Sequence, residues 1–285
     1  MSISNASGTY GLSATGTPTR ENTSGTITIG EARTPVNFTD ADIAYSVRAV
    51  IATGDFVLDL SNAATTGSTV FAAGAAQVES ATITAASGAT SSGTMTLVLT
   101  SAGMAGSPLN VPVALVTGTD TTAALIAAKA RAALSAVTVV AERFTVGGTG
   151  ADIVLTTKGA TVGGVTIYSA TDSTLNLAIP SGLGVTAAAS SANTTAGTAT
   201  TGVMIYDAGV DFEGKTLVAI TAKYGVICSV TGTGNVAITD SAGDELTIRG
   251  GEILQRISPL YVPVNTWTIQ SVEPVEVNIT VIGKS

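Results

Sequence analysis

GSPLNVPVALVTGTDTTAALIAAKARAALSA, Gly106 to Ala136, is the stretch on which the fold class turns. It reads as a strand (LNVPVALV), a short polar turn and one alanine-rich helix (TTAALIAAKARAALSA). Almost everything around it reads as extended chain built from Thr, Ser, Ala and Gly. The turn supplies the helix start: Thr119 or Asp120 is the expected N-cap, and the acid complements the positive end of the helix dipole. Leu125, Ala128 and Ala132 form the expected packing stripe, with Ile126, Ala130, Ala133 and Leu134 beside it and Lys129 and Arg131 facing out. The small side chains let such a helix lie close against a sheet, so its role is packing.

Outward from this stretch, MTLVLT (Met95–Thr100) comes before it as a strand. Three more follow: TVVAERFTV (Thr138–Val146), ADIVLTT (Ala151–Thr157) and TLNLAIP (Thr174–Pro180). Together they predict a small ββαβββ unit of the α+β class. Two low-complexity runs bracket it, ATITAASGATSSG (Ala81–Gly93) and TAAASSANTTAGTATTG (Thr186–Gly202), which read as flexible seams. Charge supports the division. Residues 81–195 hold four basic and four acidic residues, so the whole net charge of −8 belongs to the flanks.

The flanks read as strands with frequent turns. The expected strands are TITIG (Thr26–Gly30), AYSVRAVIA (Ala44–Ala52) and DFVLDL (Asp55–Leu60), and later KTLVAITA (Lys215–Ala222), GVICSV, NVAIT, ELTIRG, EILQRI, TWTIQSV and VEVNITVI. In the last, Val275, Val277, Ile279 and Val281 alternate with Glu276, Asn278 and Thr280. NVAITDSAGDELTIRG predicts a hairpin with Ser241–Ala242–Gly243 at its tip. The expected fold class is mainly β: an antiparallel sandwich or barrel scaffold, residues 26–80 plus 203–285, with an inserted α+β domain at 81–202. Residues 1–25 read as an extended arm. Ordering an arm costs about 1–2 kcal/mol per residue, and this one has only Ile3, Tyr10 and Leu12 as sizeable apolar anchors. It is therefore expected to pair with a neighbouring copy by strand addition.

Composition excludes several functions. Charged residues make up 11% of the 285 residues, against roughly 25% in an ordinary soluble domain. Recurring alternation of Val, Ile and Leu argues against disorder, despite the Thr- and Ser-rich bias. Net charge of −8 and pI ≈ 4.4 argue against a grip on nucleic-acid phosphates. No window approaches ~18 uninterrupted apolar residues, so no helical membrane span is expected. The opening MSISNASGTYGLSATG has neither the basic region nor the apolar core of a signal peptide.

Chemistry-bearing constellations are sparse. The sequence contains no histidine, which removes the commonest general base and metal ligand. Cys228, in GVICSV, is expected to be a buried small hydrophobe, and Trp267 to be core. VGGTGAD and VTGTGN lack the strand and helix context of a phosphate loop and read as turns. The densest acidic cluster is Asp207, Asp211 and Glu213, which could offer oxygen ligands to calcium but matches no EF-hand spacing. Asp240, Asp244 and Glu245 raise the same question more weakly. Both clusters read as solvated turns, and no catalytic, cofactor or metal residue is assigned.

One resemblance is carried by the middle segment. Gly106–Pro108 as a G-S-P turn, Thr119–Thr121 at the helix start, Thr174–Ala178 as T-L-N-L-A and Ala192–Gly197 as the exit fall in order along the chain. In this pattern the segment resembles an accessory α+β domain of tailed-bacteriophage virion proteins. The match runs from Thr94 to Gly197 and carries no catalytic signature. The resemblance implies a virion structural component, with a capsid decoration or cement protein expected first. Its expected partners are the major capsid protein and copies of itself as a trimer, at the particle surface. A tail tube or fibre-associated protein is the alternative, and a bacterial surface-layer or adhesin module a further one.

Overall fold

The computed structural model describes residues 42–60, 64–211, 222–257 and 266–284. The arm at 1–25, the strand expected at Thr26–Gly30 and most of that expected at Lys215–Ala222 lie outside the described residues. The first strands are β1 (Asp42–Asp59), β2 (Ala64–Thr66), β3 (Val78–Thr82), β4 (Gly93–Thr100) and β5 (Leu109–Leu115). Helices α1 (Ala123–Ala136) and α2 (Thr138–Arg143) follow. Next come β6 (Phe144–Gly147), β7 (Asp152–Thr157), β8 (Ala160–Val162), β9 (Val165–Ile167), β10 (Asn176–Ala178) and β11 (Ala192–Thr195). The last group is β12 (Gly202–Asp211), β13 (Ala222–Gly232), β14 (Val236–Asp240), β15 (Glu245–Ile248), β16 (Ile253–Ile257), β17 (Thr266–Ser271) and β18 (Val275–Lys284). The fold is mainly β, and its named strands all pair antiparallel.

The two strands expected at 44–52 and 55–60 are the arms of one long strand, β1. Its first arm lies between β12 and β18, and its second between β17 and β2. The bend sits at Gly54, with φ +116. A side chain there would strike Thr69, whose Oγ1 lies 2.7 Å from the position of a Cβ. Only glycine accepts both the dihedral and the contact. Three other connections make the same passage between the two halves of the sheet, at Gly232–Asn235, at Arg249–Glu252 and at Val272–Pro274. The result is a barrel-like antiparallel sheet folded on itself.

Alternation fills this barrel as the sequence leads one to expect. Val275, Val277, Ile279 and Val281 are buried beside Val47, Ala49 and Ile51, while Glu276, Asn278 and Thr280 are half-buried. Trp267 is 5% exposed and Cys228 fully buried in the same core. Burial in this apolar core pushes the Cys228 thiol up to about 12. The opposite face of β1 is covered too: Val50 and Ala52 pack against Ile167 of the β8–β9 hairpin. Gly163, at the tip of that hairpin, has φ +55, and a Cβ there would lie 2.3 Å from Val50 Cγ2.

A second core collects Leu97, Leu99, Val111, Val113, Leu115, Ile126, Leu134 and Phe144 with their neighbours. It lies among the β10-β4-β5 sheet, the β11-β3-β7-β6 sheet and α1. The low-complexity runs contribute to it and to its sheets: Ala81, Ile83 and Ala89 are buried there, and β11 lies within the second run. Outgoing and returning chain are pinned together by reciprocal backbone hydrogen bonds, Ala72 with Thr201 and Ala75 with Thr198.

Three local expectations need correction. The run Thr138–Val146 is not one strand, because Thr138–Arg143 forms α2. Val137 closes α1 and opens α2, and Val140 is buried in the core, so tertiary burial overrides the strand preference of Thr138 and Val139. The N-cap is Thr122, whose Oγ1 accepts from Leu125 N, because Asp120 turns back to accept from Val116 N. Finally, α1 buries Ile126, Ala127, Ala130 and Leu134, while Leu125, Ala128 and Ala132 face solvent.

Candidate interaction surfaces

The acidic residues singled out in the sequence fall on a strand and on a hairpin turn. Asp207 lies opposite Arg48 and Asp211 opposite Tyr45 in the β1–β12 register, and Glu213 is outside the described residues. Asp240 serves its own turn, where its Oδ1 accepts from Ala242 N and Asp244 N, both at 2.9 Å, and closes the β14–β15 hairpin at the expected tip. Among the described residues, no group of three or more Cys, Asp or Glu is placed to hold a metal ion.

The middle segment disposes of its charges internally. Asp120 is 1% exposed, and its Oδ2 accepts from Val116 N and from Lys129 Nζ, each at 2.7 Å. The Lys129 ammonium and that backbone N–H hold its carboxyl below the usual carboxylate range. Arg131, expected to face out, donates to the carbonyls of Gly150 and Asp152. Lys158 donates to the carbonyl of Ala141, and Asp152 accepts from Thr82 Oγ1.

Asp172 ties the most elements together. Its Oδ2 accepts from Ser101 Oγ at 2.7 Å and Ala102 N at 2.8 Å, and its Oδ1 from Thr174 N and Oγ1. Arg143 donates to Ser101 Oγ and to the Ala102 carbonyl alongside. Burial raises the Asp172 carboxyl, but the hydrogen bonds from Thr174, Ser101 and Ala102 outweigh it and leave it lowered. Between Val78 and Thr200, Glu142 is the one charged side chain both exposed and unpaired. The outward positions are filled instead by Thr82, Thr84, Thr94, Thr96, Asn110 and their like.

One buried acid is not fully satisfied. Glu79, 2% exposed, takes a hydrogen bond from Ser191 Oγ on Oε1, while Oε2 is buried with no partner. Ser191 also receives Leu177 N, and its own N–H reaches Asn176 Oδ1, so this cluster ties β10 to β3. A shallow depression of about 240 Å³ lies between Thr94–Thr96 and the Pro180–Leu183 turn, lined by no ionisable side chain.

Among the described residues, sheet edges are the other exposed feature, and most are defended. Edge strand β5 carries Pro112 at mid-length, β12 carries Asp207 and Asp211, and β15 begins at Glu245. The edges β2, β6, β10 and β11 are three or four residues long. Among the described residues β16, Ile253–Ile257, is an edge as well; it carries Arg256 and follows the exposed Glu252, and Ile253 is 69% exposed. On the barrel side, Arg48 donates from Nε to Glu276 at 2.6 Å and from Nη2 to the Gly163 carbonyl, and its guanidinium stacks 4.8 Å from the Tyr206 ring. That cluster fastens the β8–β9 hairpin to β1 and is structural. Comparison of the chain with protein-family models, with curated proteins and with solved structures finds no match to any of them.

Proposed function

We propose that the chain is a structural protein of a tailed-bacteriophage particle, decorating or cementing the capsid surface. In this reading the β scaffold contacts the major capsid protein and sister copies in a symmetric trimer, and residues 81–202 are displayed outward as an inserted unit. Catalysis, cofactors and nucleic acid have no part in it.

The supporting observation is the neutral, hydroxyl-rich exterior of the middle segment, whose charged groups are turned to internal partners. Two such faces can be pressed together without stripping water from ions, the step that makes burial of charge costly. Short Thr, Ser and Ala side chains also lose little rotamer entropy on contact. The phage assignment comes from the sequence resemblance across Thr94–Gly197.

Imaging of intact particles with this chain tagged tests the reading. Threefold sites on a shell support it, six-fold rings along a tube favour the tail alternative, and absence from particles removes both. Deletion of residues 1–25 should abolish incorporation if the arm exchanges between copies.

A further inference from the structure

We propose that the β8–β9 hairpin is a strap that makes a rigid joint of the neck between the two cores, with Thr200 as its pin. The chain leaves the barrel along residues 67–77 and returns along 196–202, two segments rich in Ala, Gly and Thr. Ala72, Ala73, Ala75, Thr198 and Thr201 on these segments are exposed. A two-stranded ribbon of this kind is marginal by itself, and two bodies joined through one move relative to each other by default.

Three features remove that freedom. The ribbon strands lie backbone on backbone: a Cβ at Gly74 would stand 2.5 Å from the Thr198 carbonyl oxygen, and one at Gly202 would stand 2.1 Å from that of Val70. Thr200, 3% exposed, joins both strands to the foot of the hairpin. Its Oγ1 accepts from Gly74 N at 3.1 Å and from Tyr168 N at 3.0 Å, and its N–H donates to the Tyr168 carbonyl at 3.0 Å. The hairpin itself is anchored on the barrel. Val162, Val165 and Ile167 pack with Val50 and Ala52, and the Gly163 carbonyl accepts from Arg48 Nη2 at 3.1 Å. Arg48 stands five residues along β1 from Thr53, the partner of Gly202 at the foot of the neck, which puts the anchor about 16 Å from the ribbon. A hinge bends about one line of contact, and a fixed point off that line stops it. The tip is closely seated, because a Cβ at Gly163 would lie 2.3 Å from Val50 Cγ2 and 3.2 Å from the Glu276 carboxyl carbon.

The joint does not rest on the particle assignment: it is a property of the chain in solution, and its failure leaves the decoration reading untouched. The test uses the full chain with spin labels at Thr247→Cys on β15 and Ser135→Cys on α1, both exposed. The native Cys228 is buried and takes no label. Double electron–electron resonance should give one narrow distance distribution. Gly163→Asp forces a side chain onto Val50 and sets a second carboxylate beside Glu276, so it should unseat the hairpin and spread that distribution. Gly164→Asp puts the same charge one residue away, at a position with φ +83 and open space, and should leave it narrow. Where Gly163→Asp loses the fold by circular dichroism, Thr200→Val decides. It removes the acceptor for two N–H groups and should broaden the distribution, whereas Thr200→Ser keeps the hydroxyl and should leave it narrow. A broad distribution in the native labelled chain overturns the proposal. A distribution that stays narrow in a folded Gly163→Asp or Thr200→Val chain, or that Gly164→Asp spreads equally, overturns it as well.

Discussion

Replacing Asp172 by Asn tests whether hydrogen bonding, and not ion pairing, holds the middle segment together. The substitution keeps shape and one acceptor oxygen but turns an amide nitrogen towards donors. The Asp172–Arg143 contact is 3.6 Å with a guanidinium 35% exposed, so it is worth at most about 1 kcal/mol. The hydrogen bonds weigh more: a bond to a charged acceptor is worth about 1.5–3 kcal/mol, and the amide forfeits one pair of them. Ala102 N–H also reaches Thr174 Oγ1 at 2.8 Å, so it is not left bare, and the net loss comes to about 3 kcal/mol. Urea unfolding followed by circular dichroism at pH 7 should show a midpoint lower by about 1–2 M. Faster hydrogen exchange should be confined to peptides spanning Ala102 and Thr174. The sign of the pH dependence is fixed as well. Asp172 is lowered in the fold from 3.8, so its contribution is present above that value and is lost as pH falls below it towards the folded value. The difference between parent and variant should therefore shrink below about pH 4. An unchanged midpoint at neutral pH, or a gap as wide in acid as at pH 7, refutes the reasoning.

Other perturbations separate further effects. Gly163→Ala should cost about 2–3 kcal/mol in thermal unfolding, because it adds a clash with Val50 to a left-handed backbone. Gly164→Ala, with φ +83 but open space around it, should cost only about 1 kcal/mol. Cys228, with its thiol raised to about 12, should resist alkylation at pH 8.5 in the folded chain and react only once denaturant opens the barrel. Glu79→Gln keeps the acceptor for Ser191 and removes charge from an oxygen without a partner, so it should leave the melting temperature equal or higher by a few degrees, where Glu79→Ala lowers it.

Much of the fold was legible because side-chain contrast was high. In β18, branched apolar residues alternate with polar ones from Val275 to Val281, and a period of two then leaves one solution. The helix was legible in existence but not in rotation. Alanine occupies both sides of α1, so Leu125 and Ile126 compete for the core with almost equal claims. The geometry of the β4–β5 sheet decides for Ile126, and that lies outside the helix's own sequence. Thr138–Arg143 misled for a related reason: β-branched residues favour strands only when a neighbouring strand is there to receive them. The bend in β1 had a visible signal in Gly54, which reads as a turn between strands when nothing shows that both halves stay in register with partners.

Charge balance shows where sequence reading stops and structure begins to inform function. Counting gives a neutral middle segment, but a neutral segment can still carry a dense pattern of exposed charges. That pattern would repel or orient neighbours and make close contact costly. Instead Lys129 reaches back to Asp120, Arg131 to the backbone carbonyls of Gly150 and Asp152, and Arg143 to the loop that Asp172 holds. These partners are 9, 21 and 42 residues away in sequence, so at least the last two were invisible to local reading. The consequence is a surface that neither attracts nor repels at a distance and gains only from contact over area. Such a surface is compatible with the structural role proposed above, in which contact is made over area. Contacts made through this segment should depend little on ionic strength, because few exposed ions are there to be screened, whereas the flanks, which hold the net charge of −8, should repel one another less as salt rises. Association of the native chain that weakens tenfold between low and physiological salt would show that exposed charge, and not main-chain pairing, does the joining.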